Sequence, residues 1–136
     1  MTAEFPRPDR VAERDRAFWS AAAEGTLSIQ ECSACGHRQF YPRPGCETCG
    51  AGDLEWLETD GVGEVYSHTV IRRATEHPAF EADVPYVVAY VELAEGLLFC
   101  TNIVDCAVED VENGMAVEVT FDRIDGELSI PKFRPR

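Results

Sequence analysis

Of the six cysteines in this 136-residue chain, four are paired by spacing and offer its clearest chemistry. Cys32-Ser-Ala-Cys35-Gly36 and Cys46-Glu-Thr-Cys49-Gly50 both read Cys-x-x-Cys-Gly, with residues 36–45 between the pairs. Such a unit folds as a knuckle that aims two thiolates at one point, and its trailing glycine takes positive φ without a Cβ penalty. Together, Cys32, Cys35, Cys46 and Cys49 form a tetrahedral four-thiolate set, for which Zn2+ is the usual metal. Four protein ligands leave no position open to water or substrate, so the ion is expected to be structural and not hydrolytic. Its binding would contribute to folding, by about 10–16 kcal/mol in small zinc peptides at neutral pH. Two disulfides are the competing reading, but a chain kept in a reducing compartment disfavours them.

The remaining reactive side chains form no comparable pattern. Cys100 and Cys106 share a parity that would place both on one face of a continuing strand, and each reads as a small buried hydrophobe. His37 adjoins the first knuckle, where four cysteines already fill the site. His68 falls in a strand pattern as a satisfied polar residue, and His77 precedes Pro78 in a loop. There is no glycine-rich phosphate loop and no Gly-x-Ser-x-Gly elbow. Nothing assembles an acid, a base and an oxyanion hole, so no catalytic residue is expected.

Composition narrows the partners. The hydrophobic fraction of 45 % is that of a globular protein. With 12 basic and 25 acidic residues the net charge is −13, which opposes a nucleic-acid partner. Lys132 is the only lysine; the other cations are arginines, suited to planar bidentate contacts with carboxylate or phosphate. Residues 1–10 lack the apolar core of a signal peptide, and no apolar run reaches membrane-spanning length. The expectation is a cytoplasmic chain with no membrane partner.

The elements that must position these groups follow from periodicity. A helix is predicted from an N-cap near Asp9 to a stop at Gly25, with Val11, Phe18 and Ala22 on one face and Trp19 beside it. Phe18-Trp19 is the candidate partner interface, because tryptophan is enriched at binding hot spots. Leu27 to Gln30 alternates as a strand into the first knuckle. Phe40 and Tyr41 are expected to cover the metal site, with Pro42 and Pro44 stiffening the loop. Leu54, Trp56 and Leu57 offer a strand that closes the ribbon, and Asp60-Gly61 marks a boundary. Five β-runs follow: Val62–Ile71 with a bulge or bend at Gly63, Tyr86–Leu93, Leu97–Val104, Val117–Phe121 and Glu127–Ile130. Glu95-Gly96 and Asp125-Gly126 read as hairpin turns. The fold class is therefore mainly β: an N-terminal helical arm over 1–25, a four-cysteine zinc ribbon over 26–60, and a five-stranded OB-fold β-barrel over 61–136.

These blocks, taken in order, resemble the DUF35 family, the OB-fold acyl-CoA-associated zinc-ribbon proteins. The resemblance is carried by Phe18-Trp19 with Gly25-Thr26-Leu27, Tyr41-Pro42-Arg43, both knuckles and Gly61-Val62-Gly63-Glu64-Val65-Tyr66-Ser67. Downstream it continues through Pro85-Tyr86-Val87-Val88-Ala89, Glu95-Gly96, Asn113-Gly114-Met115 and Pro131-Lys132-Phe133-Arg134-Pro135. It implies a rubredoxin-like ribbon and an OB barrel in a protein without catalysis of its own. Such a protein pairs with a thiolase-like subunit (thiolase, acyltransferase or aldolase) in a hetero-oligomer and supports its acyl-CoA site. The four ligand cysteines carry over and no catalytic residue does; Cys100 and Cys106 are not part of the pattern. Coenzyme A is anionic at its phosphates, which makes Arg38, Arg43, Arg72 and Arg73 candidate contacts, or else surface partners for the many acids. Two alternatives stay open: a nucleic-acid-binding OB-fold and zinc-ribbon protein, and a rubredoxin-like iron electron carrier.

Overall fold

The structure, a computed structural model, describes residues 11–74 and 77–136. The predicted helix start near Asp9 lies outside them. Within them the helix is shorter than expected: α1 spans Arg16–Ala23 after a single 3-10 turn at Glu13–Asp15, and Ala12 is extended. Phe18 and Ala22, one turn apart, are its buried face. Its end is a Schellman motif. Gly25 takes φ +84°, its N–H donates to the Ala22 carbonyl, and the Thr26 N–H reaches back to Ala21 at 2.9 Å.

Three short strands build the ribbon: β1 (Ser28–Cys32), β2 (Arg38–Gln39) and β3 (Leu54–Glu58). β1 is central and antiparallel to both neighbours. The closed barrel uses β4 (Val62–Ile71), β5 (Tyr86–Leu93), β6 (Leu98–Ile103), β7 (Ala116–Arg123) and β8 (Ser129–Pro135), in the order β4-β5-β6-β8-β7 with β7 returning to β4. One parallel pair, Ile103 with Phe133, joins β6 to β8. Closure removes the edges that such β-rich runs would otherwise expose.

Three expectations are corrected here. The bulge in β4 falls at Tyr66 and not at Gly63: Val65 pairs with Val91, Ser67 pairs with Tyr90, and Tyr66 is the extra residue. Gly63 instead marks a close approach, since a Cβ there would overlap the Glu92 carbonyl oxygen. The last strand is Ser129–Pro135 and not Glu127–Ile130. Prolines enter it because Pro131 and Pro135 share the parity of Phe133, whose carbonyl accepts from the Val104 N–H towards β6. The N–H groups they lack would have faced that sparsely bonded side, so the β7 ladder is intact. Finally, β6 stops at Ile103 and Asp105 takes φ +61°, so Cys106 does not continue the face that carries Cys100.

Helix, ribbon and barrel share one core. Phe18, Leu27 and Ile29 are buried in the same cluster as Val65, Val91 and Phe133 of the barrel. A run of rings crosses the junction: Phe18 to Phe40 at 5.1 Å, Phe40 to Phe99 at 4.6 Å and Phe99 to Phe133 at 6.1 Å. Phe40 therefore wedges between helix and barrel, its ring spent on Phe18 and Phe99, while Tyr41 is largely exposed. Burying the rings against the barrel recovers more apolar area than the small ribbon could offer.

Candidate metal centre

The two knuckles are near copies of one another. In the first, the Gly36 N–H donates to the Cys32 carbonyl at 2.8 Å with Gly36 at φ +80°; in the second, Gly50 donates to Cys46 at 2.9 Å with φ +77°. Their four Sγ atoms all lie within 4.8 Å of one another. Cys32 to Cys49 is 3.7 Å and Cys35 to Cys46 is 3.6 Å. Tetrahedral ligands at the usual Zn–S length of about 2.3 Å stand about 3.8 Å apart, so this spacing fits a metal centre. A disulfide needs sulfurs about 2.05 Å apart, and all six cysteines are free. The two-disulfide reading is thereby set aside.

The surroundings push the thiols in opposite directions: Cys46 is lowered, while Cys35 and Cys49 are raised. Cys46 is lowered to about 6, first by the Cys49 backbone N–H, with desolvation opposing and the Thr48 N–H helping. Cys35 goes the other way, up to about 12: the His37 N–H lowers it, but desolvation and the sulfurs of Cys46, Cys49 and Cys32 outweigh that donor. Four crowded sulfurs cannot all ionise without a cation between them, and a divalent metal removes that conflict. The set is closed by protein ligands, so its role is structural.

A buried amide network behind the knuckles was not foreseen from the sequence. Gln39, 1 % exposed, donates to Gln30 Oε1 at 2.9 Å and to the Gly45 carbonyl at 3.3 Å, and accepts from the Glu47 N–H at 3.0 Å. Gln30 in turn donates to the Arg43 carbonyl and accepts from the Arg43 N–H. The second half of the loop between the knuckles, from Arg43 to Glu47, is thus fastened to β1 and β2. The signal available beforehand was faint: two glutamines, Gln30 and Gln39, flanking the first knuckle. His37 is no ligand; its Nε2 meets Glu47 Oε1 at 2.8 Å and ties one knuckle to the other.

The arginines separate into two groups. Arg38 bonds Glu31 at 2.8 Å and the Glu95 carbonyl at 3.3 Å; Arg43 faces Glu47 at 3.4 Å. Arg72 and Arg73 are exposed just past β4 and make no ion pair among the described residues. Arg38 bonds the hairpin beside the start of β4, so the ten-residue strand, roughly 30 Å long, separates the two groups. Phe18 is 5 % exposed and is used in the core, whereas Trp19 stays half-buried. Trp19, Phe40, Tyr41, Phe99 and Cys100 line a groove of about 400 Å³ between helix, ribbon loop and barrel. Tyr41 lines this groove beside Cys100 of β6, and its phenol is raised, first by desolvation and then by Cys100 and Tyr90. All three histidines are held in structural contacts: His37 with Glu47, His68 with Asn113 at 2.7 Å, and His77 capping the Ala79 N–H. No helix among the described residues is long and apolar enough to cross a membrane.

Comparison with known proteins agrees with this geometry. A family model described as the rubredoxin-like zinc ribbon domain of ChsH2 matches residues 19–55, and one described as the C-terminal OB-fold domain of ChsH2 matches residues 56–122. A relative from Thermomonospora curvata called a probable enoyl-CoA hydratase alpha subunit is 44 % identical over 95 % of the chain, which spans only 40 % of that protein's length. A DUF35 domain-containing scaffold protein of Methanothermobacter thermautotrophicus is 38 % identical over 81 % of this chain and 86 % of its own. A solved structure described as an Ltp2-ChsH2(DUF35) aldolase is 41 % identical, covers 95 % of this chain and 98 % of that one, and superposes with a TM-score of 0.83. A DUF35 structure from Sulfolobus solfataricus, 16 % identical with a TM-score of 0.62, shares the fold. Both domain matches run in tandem along one chain, and the relatives align over most of it: the chain belongs to the DUF35 family.

Proposed function

We propose that this chain is a zinc-binding accessory subunit, without an active site of its own, that binds a thiolase-superfamily partner and supports the partner's acyl-CoA site. The likeness to the Ltp2-ChsH2(DUF35) aldolase over 95 % of the chain carries this reading. The scaffold-protein names of its archaeal relatives point the same way. The hydratase name belongs to a longer protein and is not transferred. Zn2+ is the assigned ion, since four thiolates with no open position suit it as a structural metal. Of the candidate phosphate ligands, Arg72 and Arg73 fit best, because Arg38 and Arg43 already face carboxylates.

Co-expression with a thiolase-like subunit tests the reading. The expected result is a stable complex on gel filtration and faster or longer-lived acyl-CoA turnover by the partner. A partner that neither binds the chain nor changes its turnover overturns it, as does thioester turnover by the isolated chain.

A further inference from the structure

Among the described residues, four of the five exposed large apolar side chains gather in one region. Tyr66 (60 % exposed), Tyr90 (48 %) and Leu98 (40 %) lie on the outer face of β4–β6, and Tyr41 of the ribbon lines the adjoining groove with Cys100. Register explains the grouping. Along β5 the buried Val87, Ala89, Val91 and Leu93 alternate with outward residues, so Tyr90 and Glu92 point away from the core. Directly opposed residues share a face, which sets Cys100 beside Tyr90 and Leu98 beside Glu92. The bulge places both Tyr66 and Ser67 against Tyr90, where an unbroken strand would offer a single residue.

The charges on this face are as uneven as the aromatics. β4, β5 and β6 contain no lysine or arginine. Their two acids, Glu64 and Glu92, are direct cross-strand partners, both exposed and without an ion pair among the described residues. Like charges set opposite each other disfavour the sheet, and an external cation would relieve them. Tyrosine faces beside carboxylates are good ground for an arginine, which can stack on the ring and bond the acid.

We propose that the outer face of β4–β6, centred on Tyr66 and Tyr90 and edged by Glu64 and Glu92, is the docking surface for the thiolase-like subunit, which meets it with an apolar patch bearing arginine. This rests on the accessory-subunit reading above. It also gives the shared core a purpose: the ribbon's Tyr41 joins the surface only while Phe40 fixes the ribbon against the barrel. A single-stranded polynucleotide could stack on the same tyrosines, but a face with two carboxylates and no cation repels phosphate.

The test compares binding of the full chain and its variants to the purified thiolase-like subunit by calorimetry. Zinc content and circular dichroism verify that each variant is folded. Tyr66→Ala with Tyr90→Ala should weaken binding at least ~30-fold, as for a hot spot. Glu64→Lys with Glu92→Lys should weaken it comparably and remove the salt dependence of association. Glu92→Lys alone, a milder change, should show the same trend. If the wild type binds and all these variants bind equally well, this surface is wrong while the accessory reading stands. If the wild type binds no thiolase-like subunit, the accessory reading itself falls. Oligothymidylate binding abolished by the tyrosine variant would overturn the proposal in favour of a polynucleotide. A wild-type dimer dissociated by the same variant would overturn it in favour of a second copy.

Discussion

Replacing Gln39 by leucine tests whether the amide network, and not the sulfurs alone, holds the ribbon. Gln39 is 1 % exposed, and its three bonds join β1, Gly45 and Glu47. Leucine nearly matches its volume, so little cavity energy is added and the change removes polar contacts. The bond to Gly45, at 3.3 Å, is weak. The other two, at 2.9 and 3.0 Å, are worth about 1 kcal/mol each. Gln30 Oε1 keeps the Arg43 N–H, so it is not orphaned. Exposed Glu47 lets its freed N–H find water, which caps the loss at about 2–3 kcal/mol. In a domain of this size that lowers the melting temperature by about 10 °C. The knuckle ligands lose their outer support, so metal affinity should fall by roughly 10–100-fold. Urea denaturation of metal-loaded protein and competition with a chromogenic chelator measure the two effects. Gln30→Leu and the double variant complete a cycle, and the singles should overshoot the double by about 1 kcal/mol. A Gln39→Leu protein within ~0.5 kcal/mol of wild type, with unchanged metal affinity, would refute the reasoning.

Three further outcomes are expected. Gly63→Ala should destabilise by about 1–3 kcal/mol in thermal melts, because the new methyl meets the Glu92 carbonyl and comes within 2.8 Å of Val91 Cγ1. Purified protein should be colourless with one zinc per chain by elemental analysis, and an indicator dye should detect zinc release as pH falls from about 7.5 to about 5, since protons compete for the thiolates; a visible absorption band would instead favour iron. The Cys106 thiol is raised by desolvation first and then by Asp110 and Asp105, so iodoacetamide should modify it more slowly than a model thiol at about pH 8, as followed by mass spectrometry.

The metal centre was legible in the sequence because its information is local. Two Cys-x-x-Cys-Gly units fix their own turns, and Gly36 and Gly50 take the positive φ that the pattern requires. β5 was equally legible as a strand, since Tyr86 to Leu93 is a run of β-branched and aromatic residues, while its inside–outside alternation appears only in the fold. Other features depend on partners distant in the chain. Phe18 and Phe40 read as an interface anchor and a metal cover, yet the barrel claims both, because Phe99 and Phe133 offer a larger apolar surface than solvent or the small ribbon. β8 extends through two prolines because of which neighbour its missing N–H groups would have faced, and only the closed barrel supplies that neighbour. The Gln30–Gln39 pair and the Tyr66 bulge are matters of register, which one-dimensional patterning does not encode; tertiary packing sets it by choosing which residues stand opposite one another.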